Sequence, residues 1–249
     1  MLNFSALHII ILVRYMINET RQNDSGSHSL VTLEGYMAAQ QALLYVLYMK
    51  DKEFIRDMRK EYINMNVFDA LQKRFAFLFQ EFKNIYISFS GGKDSGLLLN
   101  LLLDYRNKYA SDRVIGVFHQ DFEAQYTVTT EYVTKTFERL ESEVDPYWVC
   151  LPMATRTALS SYEMFWYPWD DRHPELWVRP MPSYSYVINM DKPFDHYRYR
   201  MHQEDLAKQF GRFYKERHGG GRTVCLLGLR ADESLQRYSG FVNKKHGYK

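Results

Sequence analysis

The sequence predicts an α/β protein built around a parallel sheet. Three observations carry that expectation. Strand-length apolar runs rich in β-branched and aromatic residues recur along the chain, stretches with helical apolar spacing separate them, and a small glycine-bearing polar loop stands where the first run gives way to a helix. With 249 residues and 46% hydrophobic content, the chain can build one large domain or two small ones around a substantial core.

The N-terminal run LHIIILV, residues 7–13, is far shorter than the roughly 20 residues of a membrane-spanning helix. No basic residue precedes it, Arg14 closes it and no small-residue cleavage pattern follows, so no membrane anchor or signal peptide is expected and the protein is placed in the cytoplasm. The polar, turn-forming RQNDSGSHS at 21–29 reads as a linker. From 33 to 59, Met37, Leu43, Leu44, Leu47, Phe54, Ile55 and Met58 recur at roughly helical spacing without proline. Residues 1–60 are therefore expected to form an N-terminal helical extension, whose apolar helices would permit a homo-oligomer, and 61–249 the main domain.

Asn66 followed by Asp69 is a capping signal for an amphipathic helix ending near Phe82. IYISFS, residues 85–90, has strand length, and a helical pattern runs from 95 to about 109. A second strand at 113–121, a helix at 125–142 and a third strand at 147–153 repeat the alternation, which implies parallel pairing through right-handed crossovers. Pro168, Pro174, Pro180 and Pro182 break the rhythm between 161 and 186, predicting an irregular aromatic insertion. A helix from about 197 to 217 resumes the pattern, Gly219, Gly220 and Gly221 end it, and RTVCLLGL at 222–229 supplies a last buried strand.

Charge and cysteine content narrow the chemistry. Lys and Arg number 32 against 30 Asp and Glu, and a formal charge of +2 argues for neither a nucleic-acid footprint nor an acidic polymer as partner, so electrostatics leave the partner open. Such a charge suits a protein that reaches DNA through another subunit rather than alone. Cys150 and Cys225 form no Cys-x-x-Cys pair, which excludes a cysteine-only metal site and a disulfide framework within the chain. His173, His196, His202 and His218 have no metal-ligand spacing.

The loop Ser90, Gly91, Gly92, Lys93, Asp94, Ser95 stands between a strand and the helix that follows it, where outward N–H groups and the helix dipole favour an anion. The glycines allow close backbone approach, Lys93 can neutralise charge, and Ser90 and Ser95 offer hydroxyls. A Walker A loop would need glycine at 87 and Ser or Thr at 94, where the chain has Ile87 and Asp94. The spacing about Ser95 is not that of a nucleophile elbow.

SFSGGKDS at the end of a first strand resembles the pyrophosphate loop of the ATP pyrophosphatase (PP-loop) superfamily, which includes phosphoadenosine phosphosulfate (PAPS) reductases. FHQDFEAQY, YWVCLPM, WYPWD, ELWVRPMP and GLRADESLQRY together resemble the immunoglobulin-binding regulator A (IbrA-like) group of that superfamily. The resemblance covers most of 60–240 and implies an adenine nucleotide alpha hydrolase-like (Rossmann-like) domain. It also implies a ParB-like partner and a role in prophage gene control or phage defence. Family members are expected to continue beyond GLRADESLQRY, so part of the usual C-terminal region is expected to be missing.

By the same resemblance, Ser90, Gly91, Gly92, Lys93, Asp94 and Ser95 would hold the β- and γ-phosphates of ATP or the matching groups of a sulfonucleotide such as PAPS. Asp121 would meet a ribose or, with Asp94 and Glu123, hold Mg²⁺. Gly228, Arg230, Ser234 and Arg237 would reach the same crevice from its other side, with Arg230 an anion ligand and Lys93, Asp94 and Arg230 the catalytic set. Asp232 and Glu233 are expected to open a helix. Trp166, Trp169 and Trp177 beside Arg172 and Arg179 would stack a nucleobase, grip a partner, or simply form a satellite core beneath the insertion. The reaction expected is cleavage of ATP to AMP and pyrophosphate. A non-catalytic nucleotide-sensing subunit is the alternative, and a thiol-dependent PAPS reductase is disfavoured because no cysteine follows Cys225.

Overall fold

The computed structural model describes residues 64–230, 233–235 and 237–238 and, before them, the backbone of 9–11 and 14–15. The linker at 21–29 and the helices expected between 33 and 59 lie outside the described residues, as does Asp232. Two short strands, β1 (Ile9–Ile11) and β2 (Arg14–Tyr15), come first. These correct the expectation of a wholly helical extension: an isoleucine-rich segment suits an extended backbone, and both strands pair antiparallel with the last strand of the chain.

Helix α1 (Val67–Glu81) starts where the sequence indicates, with Asn66 Oδ1 accepting the Asp69 N–H at 2.8 Å. Its Leu71, Phe75 and Leu78 are buried, four and then three residues apart on one face. The chain leaves the helix at Phe82 in an extended conformation, and the Arg113 guanidinium donates to the carbonyls of Phe79, Phe82 and Lys83 at 3.1, 2.6 and 2.7 Å. The helix C-terminus is thus capped by a cation from the edge of the next crossover.

Strand β3 (Asn84–Ser88), helix α2 (Lys93–Tyr109), strand β4 (Ile115–Gln120), helix α3 (Thr127–Leu140) and strand β5 (Asp145–Val149) follow in alternation. A small antiparallel pair, β6 (Thr155–Arg156) with β7 (Phe165–Trp166), and a 3₁₀ turn at Pro174–Leu176 lie in the proline-broken stretch. Then come β8 (Val187–Ile188), helix α4 (Gln203–Arg217) and β9 (Thr223–Arg230). Five strands form a parallel sheet in the order β9-β3-β4-β5-β8, with β1 and β2 antiparallel beside β9. The architecture is α/β and compatible with a Rossmann-like fold.

Alternation along the strands makes two cores. Ile85, Ile87, Val117, Trp148, Val224 and Leu226 point to one face, where they meet Phe75 of α1, Leu99 of α2 and Phe137 of α3. Tyr86, Phe118, Tyr147 and Val149 point to the other, where Leu206, Phe210 and Tyr214 of α4 cover them. Helices on both faces bury both sides of the parallel strands, which is why those strands read as continuous apolar runs.

Some boundaries differ from expectation. The third strand ends at Val149 rather than Met153, because Pro152 has no N–H for a ladder and the chain turns off the sheet. Helix α4 begins at Gln203 rather than near Tyr197, with His202 Nδ1 accepting the Glu204 N–H at 3.4 Å. Strand β8 is two residues long, too short for any period to reveal it.

Candidate functional site

From β3 the chain moves outward through β4, β5 and β8, then returns as β9 on the other side of β3. A reversal of strand order such as the one between β3 and β9 is where open α/β sheets form a crevice beyond the carboxyl ends of their strands. The SGGKDS loop leaves β3 at that point. Past the Ser88–Leu227 pair, β9 runs on through Gly228 and Leu229 to Arg230, alongside the loop.

The loop is shaped by its own hydroxyls. Ser95 is buried at the start of α2; its Oγ accepts the Ser90 N–H at 3.3 Å, donates to Gly92 O at 2.9 Å and lies 3.0 Å from Ser90 Oγ. Gly92 caps α2 with no side-chain acceptor, so the helix dipole faces the crevice undiminished by a capping side chain. Gly91 has φ 78, and a Cβ there would lie 2.6 Å from Val133 Cγ2 and 2.9 Å from Thr129 Cγ2 on α3. Gly228 is needed for a different reason: its Cβ would stand 3.0 Å from the Asp94 carbonyl and the Ser95 nitrogen, so β9 meets the first turn of α2 backbone to backbone. Lys93, with a side chain 75% exposed, extends outward and pairs with Asp94 Oδ1 at 2.7 Å.

Arg230 ends β9, three-quarters buried, with Glu233 Oε1 3.9 Å from its Nε. Ser234 and Arg237, expected at the crevice, are also joined to each other and to Glu233. The Arg237 N–H donates to Ser234 Oγ at 3.2 Å, and its guanidinium contacts Glu233. A serine hydroxyl three residues before an N–H is in reach of a helix-cap geometry, which competes with any ligand role.

The carboxylates after β4 also depart from expectation. Asp121 is fully buried; Arg179 Nη2 donates to both its oxygens at 2.6 Å, Trp148 Nε1 donates to Oδ2 at 2.7 Å, and the Glu123 N–H donates to Oδ1 at 2.7 Å. Burial penalises its charge, but His119, Arg179 and the hydrogen bonds from Arg179 and Trp148 hold its pKa below the ordinary carboxylate value. Glu123 accepts the Trp169 N–H at 2.6 Å and the Val178 N–H at 2.8 Å, one on each oxygen, while its carbonyl accepts Arg179 Nε at 3.0 Å. Both side chains are turned inward to fasten the insertion. Among the described residues no three His, Cys, Asp or Glu side chains come together as a metal-ligand set. The trio of Asp94, Asp121 and Glu123 therefore does not fit a Mg²⁺ site, because two of its members are spent on internal donors.

His119, one residue beyond Phe118 on β4, is buried among the rings of Phe89, Phe137 and Trp148, and its Nδ1 lies 2.7 Å from Phe89 O. The Phe89 N–H donates to Phe118 O at 2.8 Å, so the residue just ahead of the loop is held through both its main-chain groups. The insertion aromatics divide by burial. Trp169 is fully buried, edge-on to Trp177 with Arg179 over its face at 4.7 Å, whereas Arg172 lies over Tyr199 and Arg200 over Tyr167. Trp169 joins the main core on the α1–α3 face and Trp177 packs against it, so these two rings extend that core rather than form a satellite beneath the insertion.

No family model matches the chain, and no solved structure matches it. It is similar to an uncharacterized Escherichia coli K12 protein, YbdN, with 31% identity over 176 residues. That match takes in 70% of this chain and 41% of the relative, so the chain spans about two fifths of the relative's length.

The sequence brings Ser90 to Ser95 and Gly228 together and sets His119 at the end of the second strand beside Asp121 and Glu123, but it does not show Arg179 and Trp148 as the partners of Asp121. Arg179 carried a signal, a lone cation between prolines in an aromatic stretch. Its partners lie 56 and 58 residues earlier in the chain, where no local pattern points to them.

Proposed function

We propose that this chain binds ATP or a sulfonucleotide at residues 90–95 and cleaves ATP to AMP and pyrophosphate, as a PAPS-reductase-like member of the ATP pyrophosphatase superfamily. The supporting observation is the position of the loop: glycine-bearing, at an uncapped helix N-terminus, on the switch point of a parallel sheet. The first-turn N–H groups of α2 and the Lys93 ammonium would hold the phosphates, and Arg230 would bring a second cation from β9. An acceptor oxygen would attack the α-phosphorus, forming one P–O bond while the bond to pyrophosphate breaks. The protein's part is to position the chain of phosphates and neutralise charge on the leaving group. No step is assigned to a metal on the protein's carboxylates, since Asp121 and Glu123 are engaged elsewhere.

Reduction of a sulfonucleotide is disfavoured on the thiols. Cys150 is fully buried, and burial pushes its thiol well above the ordinary range, which disfavours the thiolate that nucleophilic attack needs. A second reading has its own support: with the β4 carboxylates committed to the insertion, the site suits a nucleotide sensor that acts through a ParB-like partner in prophage gene control or phage defence.

The test is to incubate the purified chain with Mg²⁺ and ATP, using Lys93→Ala as control, and to separate AMP plus pyrophosphate from ADP plus phosphate. Because Lys93 is mostly exposed, its removal leaves the fold intact. Formation of AMP and pyrophosphate, lost in the variant, is the expected result. ATP bound without turnover supports the sensor, and absence of binding overturns both readings.

A further inference from the structure

We infer that Arg179, in the aromatic insertion, is a positioning residue for the anion loop, resting on the reading of residues 90–95 as that loop. Its guanidinium is the hub of a buried joint. It donates twice to Asp121 and once to the Glu123 carbonyl, and it covers the face of Trp169. The same Glu123 carbonyl also accepts the Gln125 N–H at 2.8 Å. One residue later, Tyr126 caps α3 and its carbonyl takes the Thr129 N–H at 2.9 Å.

Thr129 and Val133 then form the wall against which Gly91 is pressed with no room for a Cβ. A rigid turn therefore connects Arg179 to the loop through the first turn of α3. The connection is unusually constrained, because Glu123 holds a left-handed backbone with φ 63 and is joined directly to Trp169, which holds φ 55. Non-glycine residues stay in that region only when their surroundings over-determine them. Arg179 supplies much of that determination, since its three donors and its ring contact bind both ends of the joint. Loosening it frees the β4–α3 turn, lets α3 drift from Gly91, and relaxes the loop.

The experiment compares native Arg179 with Arg179→Gln, Arg179→Lys and the double variant Asp121→Asn, Arg179→Gln, which removes both charges of the pair so that the buried Asp121 is not left as an unpaired carboxylate. Hydrogen exchange is followed at the amides of Phe89, Ser90 and Gly96, which have acceptors in Phe118 O, Ser95 Oγ and Gly92 O. The strand amides of β3 and β9 serve as the internal reference. Exchange at Ser90 and Gly96 is expected to quicken by about tenfold in Arg179→Gln and in the double variant, with partial recovery in Arg179→Lys and no change in the reference strands.

ATP binding is titrated on the same proteins, and its affinity is expected to fall by about tenfold in parallel. Loop exchange equal to native in the folded double variant, or a rise shared evenly by loop and reference strands, overturns the inference. Failure of the native protein to bind ATP overturns the nucleotide reading instead, while the exchange measurement still decides the role of Arg179.

Discussion

The main-chain N–H of Trp169 donates to Glu123 Oε2 at 2.6 Å, and both residues hold left-handed backbone, with φ 55 and 63. Two costly conformations are thus fastened to each other, and the second Glu123 oxygen fixes Val178 as well. Glu123→Ala removes both acceptors and strands two main-chain donors, at an expected cost of about 3 kcal/mol in urea unfolding. Glu123→Gly strands the same donors but relieves the left-handed strain, so it is expected to be less destabilised than alanine by about 1 kcal/mol. Equal losses in the two variants would show that the strain is not stored at Glu123.

Gly228→Ala tests the backbone contact between β9 and α2. The added Cβ meets the Asp94 carbonyl and Ser95 nitrogen, atoms that cannot rotate away, so the start of α2 must shift. ATP affinity is expected to fall about tenfold or more in a calorimetric titration, with thermal stability reduced by about 2 kcal/mol. Unchanged affinity would mean that the first turn of α2 does not touch the ligand.

Stability should depend on pH through His119. Burial lowers its pKa from the usual 6.5 in the folded chain, so the unfolded chain binds more protons below that value. Stability is therefore flat above about pH 6.5 on this account and falls as the pH drops beneath it. Thermal unfolding from pH 8 to pH 5 should show this decline in the native protein and a weaker one in His119→Gln. Parallel profiles would remove His119 as the cause.

Asn66→Ala removes the cap of α1 and its bond to the Asp69 N–H. The expected cost is about 1 kcal/mol by chemical denaturation, with ATP binding unaffected because the cap bond is local to the first turn of α1. A loss of binding at this position would tie α1 to the site in a way its contacts do not suggest.

The parallel sheet was legible because its signals are local: a β-branched run, then a helical period, repeated at 85–90, 113–121 and 222–229. The Asn66 cap and the SGGKDS loop were legible for the same reason. The fate of Asp121 and Glu123 was not. A carboxylate at a strand end looks the same in sequence whether it faces a ligand or a guanidinium of the same chain, and only the long excursion through the insertion brings Arg179 back to them. β1 and β2 escaped notice as sheet members because their hydrogen-bond partners come from the far end of the chain.

That last pairing bears on how the molecule is made. Ile10 stands opposite Leu229 and Tyr15 opposite Val224, so the first strands of the chain have no ladder to join until β9 has been synthesised. The elements from α1 to β8 are translated, and can collapse on one another, while β1 and β2 are still waiting. Because β9 also pairs with β3 on its other side, it acts as the closing stave of the sheet, and the edge it leaves open on a nascent chain is the site where a second nascent chain could pair by mistake.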